Sequence, residues 1–192
     1  IILGNAGISP GDCAAASLHG ANEIPYVAFD CEDIISAMKF NGTSWTNVGT
    51  EKLNNTGGGT MSLYVYNGTP YVAFRDSING YKATVKKFDG TNWVTVGNAG
   101  FSEGEVGICP RGLYIDNYET PYLAYIDIAS GRKATVKKFD GTNWVTVGNA
   151  GFSAATVDWL SISISNGIPY VGYDDWENGE YGIKPSVMKF SN

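Results

Sequence analysis

The feature that most constrains the fold of this chain is an internal repeat. The segment ATVKKFDGTNWVTVGNAGFS occupies residues 83–102 and occurs again, unchanged, at residues 134–153. A Lys-Phe pair recurs about every fifty residues, at Lys39-Phe40, Lys87-Phe88, Lys138-Phe139 and Lys189-Phe190. A Pro-Tyr motif recurs in step with it, at Pro25, Pro70, Pro121 and Pro169. The chain is therefore predicted to contain four similar units.

Each unit has the pattern of a β-meander. In the second unit, strands are predicted at 60–66, 70–76, 82–88 and 93–97, and Asn-Gly or Asp-Gly pairs separate the first three strands from those that follow. Such pairs accept the positive φ angles of tight hairpin turns. With 25 Gly and 12 Tyr in the chain, the composition also favours turn-rich β structure. We predict an all-β fold, a four-bladed β-propeller with four antiparallel strands in each blade.

The two ends of the chain are predicted to share the last blade. The blades are assigned to residues 10–49, 50–97, 98–148 and 149–192, and the last lacks a fourth strand. Residues 1–9, IILGNAGIS, resemble the fourth strand and exit loop VTVGNAGFS of the other units. The N-terminal strand 1–4 is therefore expected to close the last blade and leave no open sheet edge. Insertion of this strand into a neighbouring molecule is the alternative to a monomer.

The repeat resembles those of secreted bacterial β-propeller proteins. Its length is that of kelch-type blades, and the turn Asp-Gly-Thr-Asn-Trp at 89–93 is similar to the Asp-box of sialidase-type propellers. The number of blades resembles that of hemopexin-like domains, which implies a narrow central channel able to hold ions. The resemblance implies a secreted or cell-surface protein, and no catalytic residues are carried over with it.

Charge and motif content exclude several functions. The net charge is −6 and the lysines form no stripe, so nucleic acid is not an expected partner. No apolar run reaches the ~18 residues of a membrane span, so membrane insertion is not expected either. There is one histidine, His19, and no nucleophile motif or phosphate-binding loop. Asp174 and Asp175 are adjacent on one strand and should point to opposite faces, a poor geometry for a glycosidase pair. We predict that the protein is not an enzyme.

The candidate ligand site lies where the fourth unit departs from the repeat. Recurring residues, such as the tryptophans at 45, 93 and 144 and the tyrosines at 26, 71, 122 and 170, are explained by packing between blades. The departures form an aromatic surface flanked by carboxylates, suited to a sugar: Trp159, Asp174, Asp175, Trp176, Glu177 and Tyr181. We predict a carbohydrate-binding or adhesive module whose partner is a glycan or a surface protein. A structural or protein-interaction domain is the alternative, and a glycosidase comes third.

Two further expectations concern metal and disulfide bonds. Carboxylates on loops leading to the channel, Asp12, Glu103, Glu105 and Asp158, are candidate ligands of a Ca²⁺ ion near the central channel. Among the three cysteines, a disulfide between Cys13 and Cys31 is the first choice, although the hairpin register places Cys13 opposite Glu32. A bridge from Cys13 to Cys109 across the channel is the rival.

Overall fold

The computed structural model describes residues 2–4, 7–9, 11–49, 52–53, 60–176 and 183–191, with only the backbone at Ala14 and Ala15. Within this part, the regular elements are sixteen β-strands and one short 3-10 helix, Ser77–Asn79. The described part of the chain contains no helix with the length and apolar character needed to cross a membrane. The predicted all-β class is therefore confirmed.

The strands form four antiparallel sheets in sequence order. Sheet 1 contains β1 (Cys13–Ala21), β2 (Ile24–Cys31), β3 (Ile34–Phe40) and β4 (Trp45–Asn47). Sheet 2 contains β5 (Met61–Tyr66), β6 (Thr69–Asp76), β7 (Lys82–Phe88) and β8 (Trp93–Thr95). Sheet 3 contains β9 (Val106–Gly107), β10 (Leu113–Ile115), β11 (Pro121–Asp127), β12 (Lys133–Phe139) and β13 (Trp144–Thr146). Sheet 4 contains β14 (Thr156–Ser165), β15 (Ile168–Trp176) and β16 (Ile183–Lys189).

Turn residues explain why each sheet is a meander. Asn67 and Gly68 join β5 to β6 with φ angles of 48° and 82°, as a tight hairpin turn requires. Between β7 and β8, the side chain of Asp89 accepts hydrogen bonds from the backbone N–H groups of Thr91 and Asn92, at 2.8 and 2.7 Å. These local bonds hold consecutive strands antiparallel, so each unit of the repeat folds as one sheet.

The hydrophobic core lies between consecutive sheets. In β6, Val72 and Phe74 are buried against sheet 1, whereas Tyr71 and Ala73, which alternate with them, are buried against sheet 3. Both faces of a middle sheet are therefore covered, as in propellers. We call the face that a sheet turns toward the next sheet in sequence its forward face, and the opposite face its rear face.

A tryptophan of each of the first three sheets bonds to the chain segment that precedes its sheet. The indole Nε1–H donates to a backbone carbonyl, from Trp45 to Leu3, from Trp93 to Val48 and from Trp144 to Val96, at 2.9, 2.9 and 2.8 Å. Val48 and Val96 directly follow the last strands of sheets 1 and 2. Residues 2–4 therefore have the same position relative to sheet 1 that the end of sheet 1 has relative to sheet 2, and that the end of sheet 2 has relative to sheet 3.

The innermost strands of three sheets converge. Ser17 of sheet 1 and Ser62 of sheet 2 both donate to the carbonyl oxygen of Pro110, which precedes β10, each at 3.0 Å. Their hydroxyl oxygens accept the backbone N–H groups of Leu63 and Leu113, also at 3.0 Å. Because sheets 1 and 2 both reach the same carbonyl at the start of sheet 3, the three sheets are arranged around a common centre, as propeller blades are.

Sheet 4 has three strands, and its last strand has no partner on its outer edge within the described residues. Val187 of β16 is 75% exposed, whereas the equivalent residues of the other sheets, Ala37, Val85 and Val136, are at most 4% exposed. Residues 2–4 belong to no strand. The four sheets are thus established, whereas closure of a four-bladed ring by an N-terminal strand stays a prediction.

The structure contains a disulfide between Cys13 and Cys31, and the thiol of Cys109 is free and buried. The expected offset that placed Cys13 opposite Glu32 is wrong, because an irregularity between Cys13 and Ala15 brings the two cysteines directly opposite each other. Burial raises the pKa of the Cys109 thiol, which therefore remains protonated at neutral pH.

Candidate functional site

The structure places the predicted aromatic surface on the forward face of sheet 4. Trp159 and Trp176 are 64% and 45% exposed, and strand alternation puts Asp174 on the same face. Asp175 points to the rear face, where it is buried and accepts a hydrogen bond from the backbone N–H of Ala155 at 3.0 Å. The remaining members of the predicted set, Glu177 and Tyr181, lie outside the described residues.

This face is the one that other sheets bury. Forward-face residues of sheet 1, such as Tyr26 and Ala28, are at most 5% exposed because sheet 2 covers them. On sheet 4, the same face exposes Trp159, Trp176, Ile183 and Val187. We call these four residues the open face. Their exposure follows from the position of sheet 4 at the end of the series, so the two tryptophans suit packing against another sheet as well as stacking on a sugar.

The four predicted metal ligands do not converge. Glu105 forms an ion pair with Arg75, Asp158 with Arg132 at 2.8 Å, and Glu103 with Lys137 at 3.5 Å. Asp12 is exposed near the start of β1. No group of three or more His, Cys, Asp or Glu side chains is arranged to hold a metal ion within the described ranges. These carboxylates mainly join neighbouring sheets.

A site that sequence reasoning missed is built on a tyrosine and lysine that are paired across strands. The tyrosine follows the recurring proline, and the lysine precedes the recurring phenylalanine. Their Cα atoms are cross-strand partners in all four sheets, as Tyr26 with Lys39, Tyr71 with Lys87, Tyr122 with Lys138 and Tyr170 with Lys189. The pairs of the first three sheets lie beside the turn that joins the first two long strands of the next sheet.

In sheet 2, a carboxylate from sheet 3 completes the pair. The hydroxyl of Tyr71 donates to Oε1 of Glu119 at 2.8 Å, and Nζ of Lys87 donates to the same oxygen at 3.4 Å. The hydrogen bond from Tyr71 is the main cause that lowers the pKa of Glu119, and Lys87 lowers it further. Burial and the same hydrogen bond raise the pKa of Tyr71. The tyrosine and lysine together therefore hold an ionised carboxylate.

Beside the pairs of sheets 1 and 3, the position equivalent to Glu119 holds glycine, and a recess is present. Glu119 lies two residues before Pro121, and Gly68 and Gly167 lie two residues before Pro70 and Pro169. A recess of about 660 Å³ lies between sheets 1 and 2, and one of about 730 Å³ lies beside the Tyr122–Lys138 pair. The first, which we call the sheet 1/2 recess, is lined among others by Tyr26, Lys39, Asn47, Gly68, Thr69 and Asp89.

The single histidine takes no part in this site. The His19 ring lies 4.4 Å from the Tyr64 ring, and its Nδ1 accepts the backbone N–H of Val65 at 3.3 Å. Burial lowers the pKa of His19, so the imidazole is neutral at pH 7. The side chain therefore has a packing role on the innermost strand.

The sequence matches no model of a known protein family and no curated protein sequence. Solved structures do resemble the fold. The fucose-specific lectin from Aleuria aurantia has a TM-score of 0.59 and 16% identity over 90% of this chain and 57% of its own. An α-L-arabinofuranosidase from Clostridium thermocellum has a TM-score of 0.51 and 12% identity over 91% of this chain and 67% of its own. An exo-β-1,3-galactanase from Phanerochaete chrysosporium, solved with β-1,3-galactotriose, has a TM-score of 0.56 and 13% identity over 96% of this chain and 48% of its own.

These neighbours have β-propeller-type folds, and they include both a lectin and glycosidases. The chain spans about half of the lectin and galactanase chains and two thirds of the arabinofuranosidase. At such low identity the likeness concerns the fold alone. The chain therefore has an all-β, propeller-type architecture of four antiparallel sheets, shared with proteins that act on or bind carbohydrates.

Proposed function

We propose that this protein is a non-catalytic carbohydrate-binding module that acts outside the cell. The observation that carries the proposal is the sheet 1/2 recess, whose volume of about 660 Å³ falls in the range of small-ligand sites. Its amide, hydroxyl, ammonium and carboxylate groups are suited to sugar hydroxyls, and Tyr26, although sheet 2 covers most of its ring, also lines the recess. The disulfide between Cys13 and Cys31 supports an oxidising compartment.

The state of the recess carboxylates supports binding rather than hydrolysis. Backbone hydrogen bonds from Asn92 and Thr91 lower the pKa of Asp89, and the bond from Tyr71 lowers that of Glu119. Both groups are therefore ionised at neutral pH. A glycosidase needs one carboxylic acid that keeps its proton until it protonates the leaving oxygen, and that requires a raised pKa.

A glycan array of the purified protein, with and without Ca²⁺, tests this proposal. We expect binding by the wild type, loss of binding in Lys39→Gln and retention in Trp176→Ala. The reverse pattern would move the sugar site to the open face, where the aromatic residues of the fourth unit lie. No binding by the wild type under either condition would contradict the proposed function.

The second candidate function is assembly through the open face, and a specific observation favours it. On the rear face of sheet 1, Leu18 is 70% exposed, whereas the equivalent residues Leu63 and Leu113 are 3% exposed. The first and last sheets thus both expose surfaces that the other sheets bury between them. Residues 2–4 lie at one of these ends, and at the other lies the outer edge of β16, which has no partner strand in the described part of the chain.

We also propose that the first and last sheets meet within one molecule and close a four-bladed ring. Residues 1–4 would then supply the fourth strand of sheet 4. Glu23 lies two residues before Pro25, the position that Glu119 has relative to Pro121. In a closed ring, Glu23 would face the Tyr170–Lys189 pair of sheet 4, as Glu119 faces its pair in sheet 2.

A double cysteine variant, Leu3→Cys with Val187→Cys, separates closure from strand exchange. Val48, the equivalent of Leu3, donates its backbone N–H to Ala37, the equivalent of Val187, at 2.9 Å. Oxidation should therefore give a cross-linked monomer on a non-reducing gel if the ring closes. A cross-linked dimer would support exchange between copies, and the absence of any cross-link would contradict both arrangements.

A further inference from the structure

The sheet 1/2 recess has the groups that hold a carboxylate elsewhere in the same molecule. We infer that it binds an acidic sugar, such as a hexuronic acid, with the sugar carboxylate received by Tyr26 and Lys39. The inference rests on the proposed carbohydrate-binding function and specifies the class of sugar.

The bound carboxylate of Glu119 is the internal model for this ligand. Its Oε1 accepts from the Tyr71 hydroxyl at 2.8 Å and from the Lys87 ammonium at 3.4 Å. Glu119 adopts a positive φ of 62°, which a residue with a side chain rarely takes. Tyr71 and Lys87 thus bind this carboxylate even though the residue that carries it has an unfavourable backbone conformation.

The equivalent pair in sheet 1 has the same register, but within the described residues no carboxylate is bonded to it as Glu119 is bonded to the pair of sheet 2. Tyr26 and Lys39 are cross-strand partners as Tyr71 and Lys87 are. Gly68 stands where Glu119 stands in the next sheet, and a Cβ atom built on it would have no heavy atom within 4 Å. Of the residues described, none forms an ion pair with Lys39. The space that a glutamate side chain fills between sheets 2 and 3 is thus open between sheets 1 and 2.

The charge around the pair favours sheet 1 over sheet 3. Two residues after Lys138 lies Asp140, and the attraction of Lys138 contributes to the lowered pKa of Asp140. Asp116 also lines the recess beside Lys138. Two residues after Lys39 lies Asn41, which carries no charge. The recess beside Lys39 is lined by two lysines, Lys39 and Lys87, and two carboxylates, whereas the recess beside Lys138 is lined by one lysine and three carboxylates. An anionic ligand is therefore repelled less beside Lys39 than beside Lys138, so we expect one strong site in each chain.

The rest of the sheet 1/2 recess suits a sugar ring. Asn47, Thr69 and Asp89 line it together with the tyrosine and lysine. These groups offer hydrogen-bond donors and acceptors to hydroxyls, while the single tyrosine–lysine pair fixes the position of one carboxylate.

The test compares methyl β-D-glucuronide with methyl β-D-glucoside, which differ only in the carboxylate. Titrations followed by NMR chemical shifts measure affinity even when binding is weak. We expect the wild type to bind the glucuronide at least tenfold more tightly, with an affinity that falls as salt is raised. Equal affinities would overturn the inference while leaving carbohydrate binding intact. If neither these two sugars nor any array glycan binds, both proposals fail.

Variants at position 68 supply a matched pair. Gly68→Glu should place a carboxylate in the recess, as Glu119 does in sheet 2, and weaken glucuronide binding at least tenfold. Gly68→Ala imposes the same positive φ of 82° without the carboxylate and should bind within threefold of the wild type. If the glutamate variant binds no less tightly than the alanine variant, the inference is wrong. Lys39→Gln, on an exposed side chain, should also weaken binding tenfold and does not depend on tolerance of a side chain in the turn.

A variant that gains a second binding site gives the most decisive test. Glu119→Gly would free the Tyr71–Lys87 pair, so the number of glucuronide molecules bound per chain should rise from one toward two. New shift changes should then arise at Tyr71, which, unlike Lys87, does not line the sheet 1/2 recess. An unchanged stoichiometry, with no shift change at Tyr71, would contradict the idea that the pair alone recruits a carboxylate.

Discussion

The convergence of the inner strands can be tested by removing a single hydroxyl, that of Ser62. This side chain is fully buried, donates to the carbonyl of Pro110 and accepts the backbone N–H of Leu113, both at 3.0 Å. In Ser62→Ala, the Leu113 N–H loses its partner in a buried position. The Pro110 carbonyl keeps the hydrogen bond from Ser17.

The loss of stability can be estimated from these contacts. An unsatisfied buried donor costs about 1–3 kcal/mol, and the lost bond to Pro110 adds roughly 0.5–1 kcal/mol. We therefore expect the free energy of unfolding to fall by about 2–3 kcal/mol. For a domain of this size, that corresponds to a decrease in melting temperature of about 5–10 °C.

The matched control is Ser161→Ala. Ser161 has the equivalent position in sheet 4, opposite Gly172 as Ser62 lies opposite Ala73, but its side chain is exposed. We expect its replacement to change stability by less than about 0.5 kcal/mol. Urea unfolding followed by tryptophan fluorescence measures both values. Equal losses in the two variants, or none at Ser62, would refute the arrangement of inner strands around Pro110.

Three further predictions concern pH, calcium and the disulfide. The folded-state pKa of Glu119 is lowered, so its contribution to stability is present above its unfolded pKa of ~4.5 and is lost as the pH falls through the folded value. In urea unfolding, Glu119→Gln should therefore cost at most ~1 kcal/mol at pH 7 and progressively less as the pH falls below ~4.5, and a cost independent of pH would contradict this. EDTA should leave the melting temperature unchanged, because Glu105 and Asp158 are paired with arginines, and a decrease of several degrees would show a metal site. Reduction of Cys13–Cys31, 18 residues apart, should cost about 3 kcal/mol, and an unchanged melting temperature in dithiothreitol would contradict a structural role.

The sheets could be predicted from the sequence because strand, turn and repeat signals agree in each unit. Strands predicted at 60–66, 70–76 and 82–88 are found at Met61–Tyr66, Thr69–Asp76 and Lys82–Phe88. The register at Cys13 could not be predicted from the sequence. The pairing was inferred from the turn residues, and these carry no signal of an irregularity farther along the strand.

Only part of the candidate site could be predicted from the sequence. The exposed tryptophans of the fourth unit stand out because they depart from the repeat, whereas Tyr26 and Lys39 are part of it: packing explains the recurring tyrosines, and the lysine serves only to mark the repeat. The contact between a turn and a tyrosine of the neighbouring sheet depends on how the two sheets are offset. The sequence contains no local signal for this offset. One readable signal was present, since the residue two before the recurring proline alternates between Glu23, Gly68, Glu119 and Gly167.

The most direct test of the account is a crystal structure of the protein with methyl β-D-glucuronide. The account predicts the sugar in the sheet 1/2 recess, with its carboxylate about 3 Å from the Tyr26 hydroxyl and the Lys39 ammonium. A sugar stacked on Trp159 or Trp176 of the open face, with the recess left empty, would contradict it.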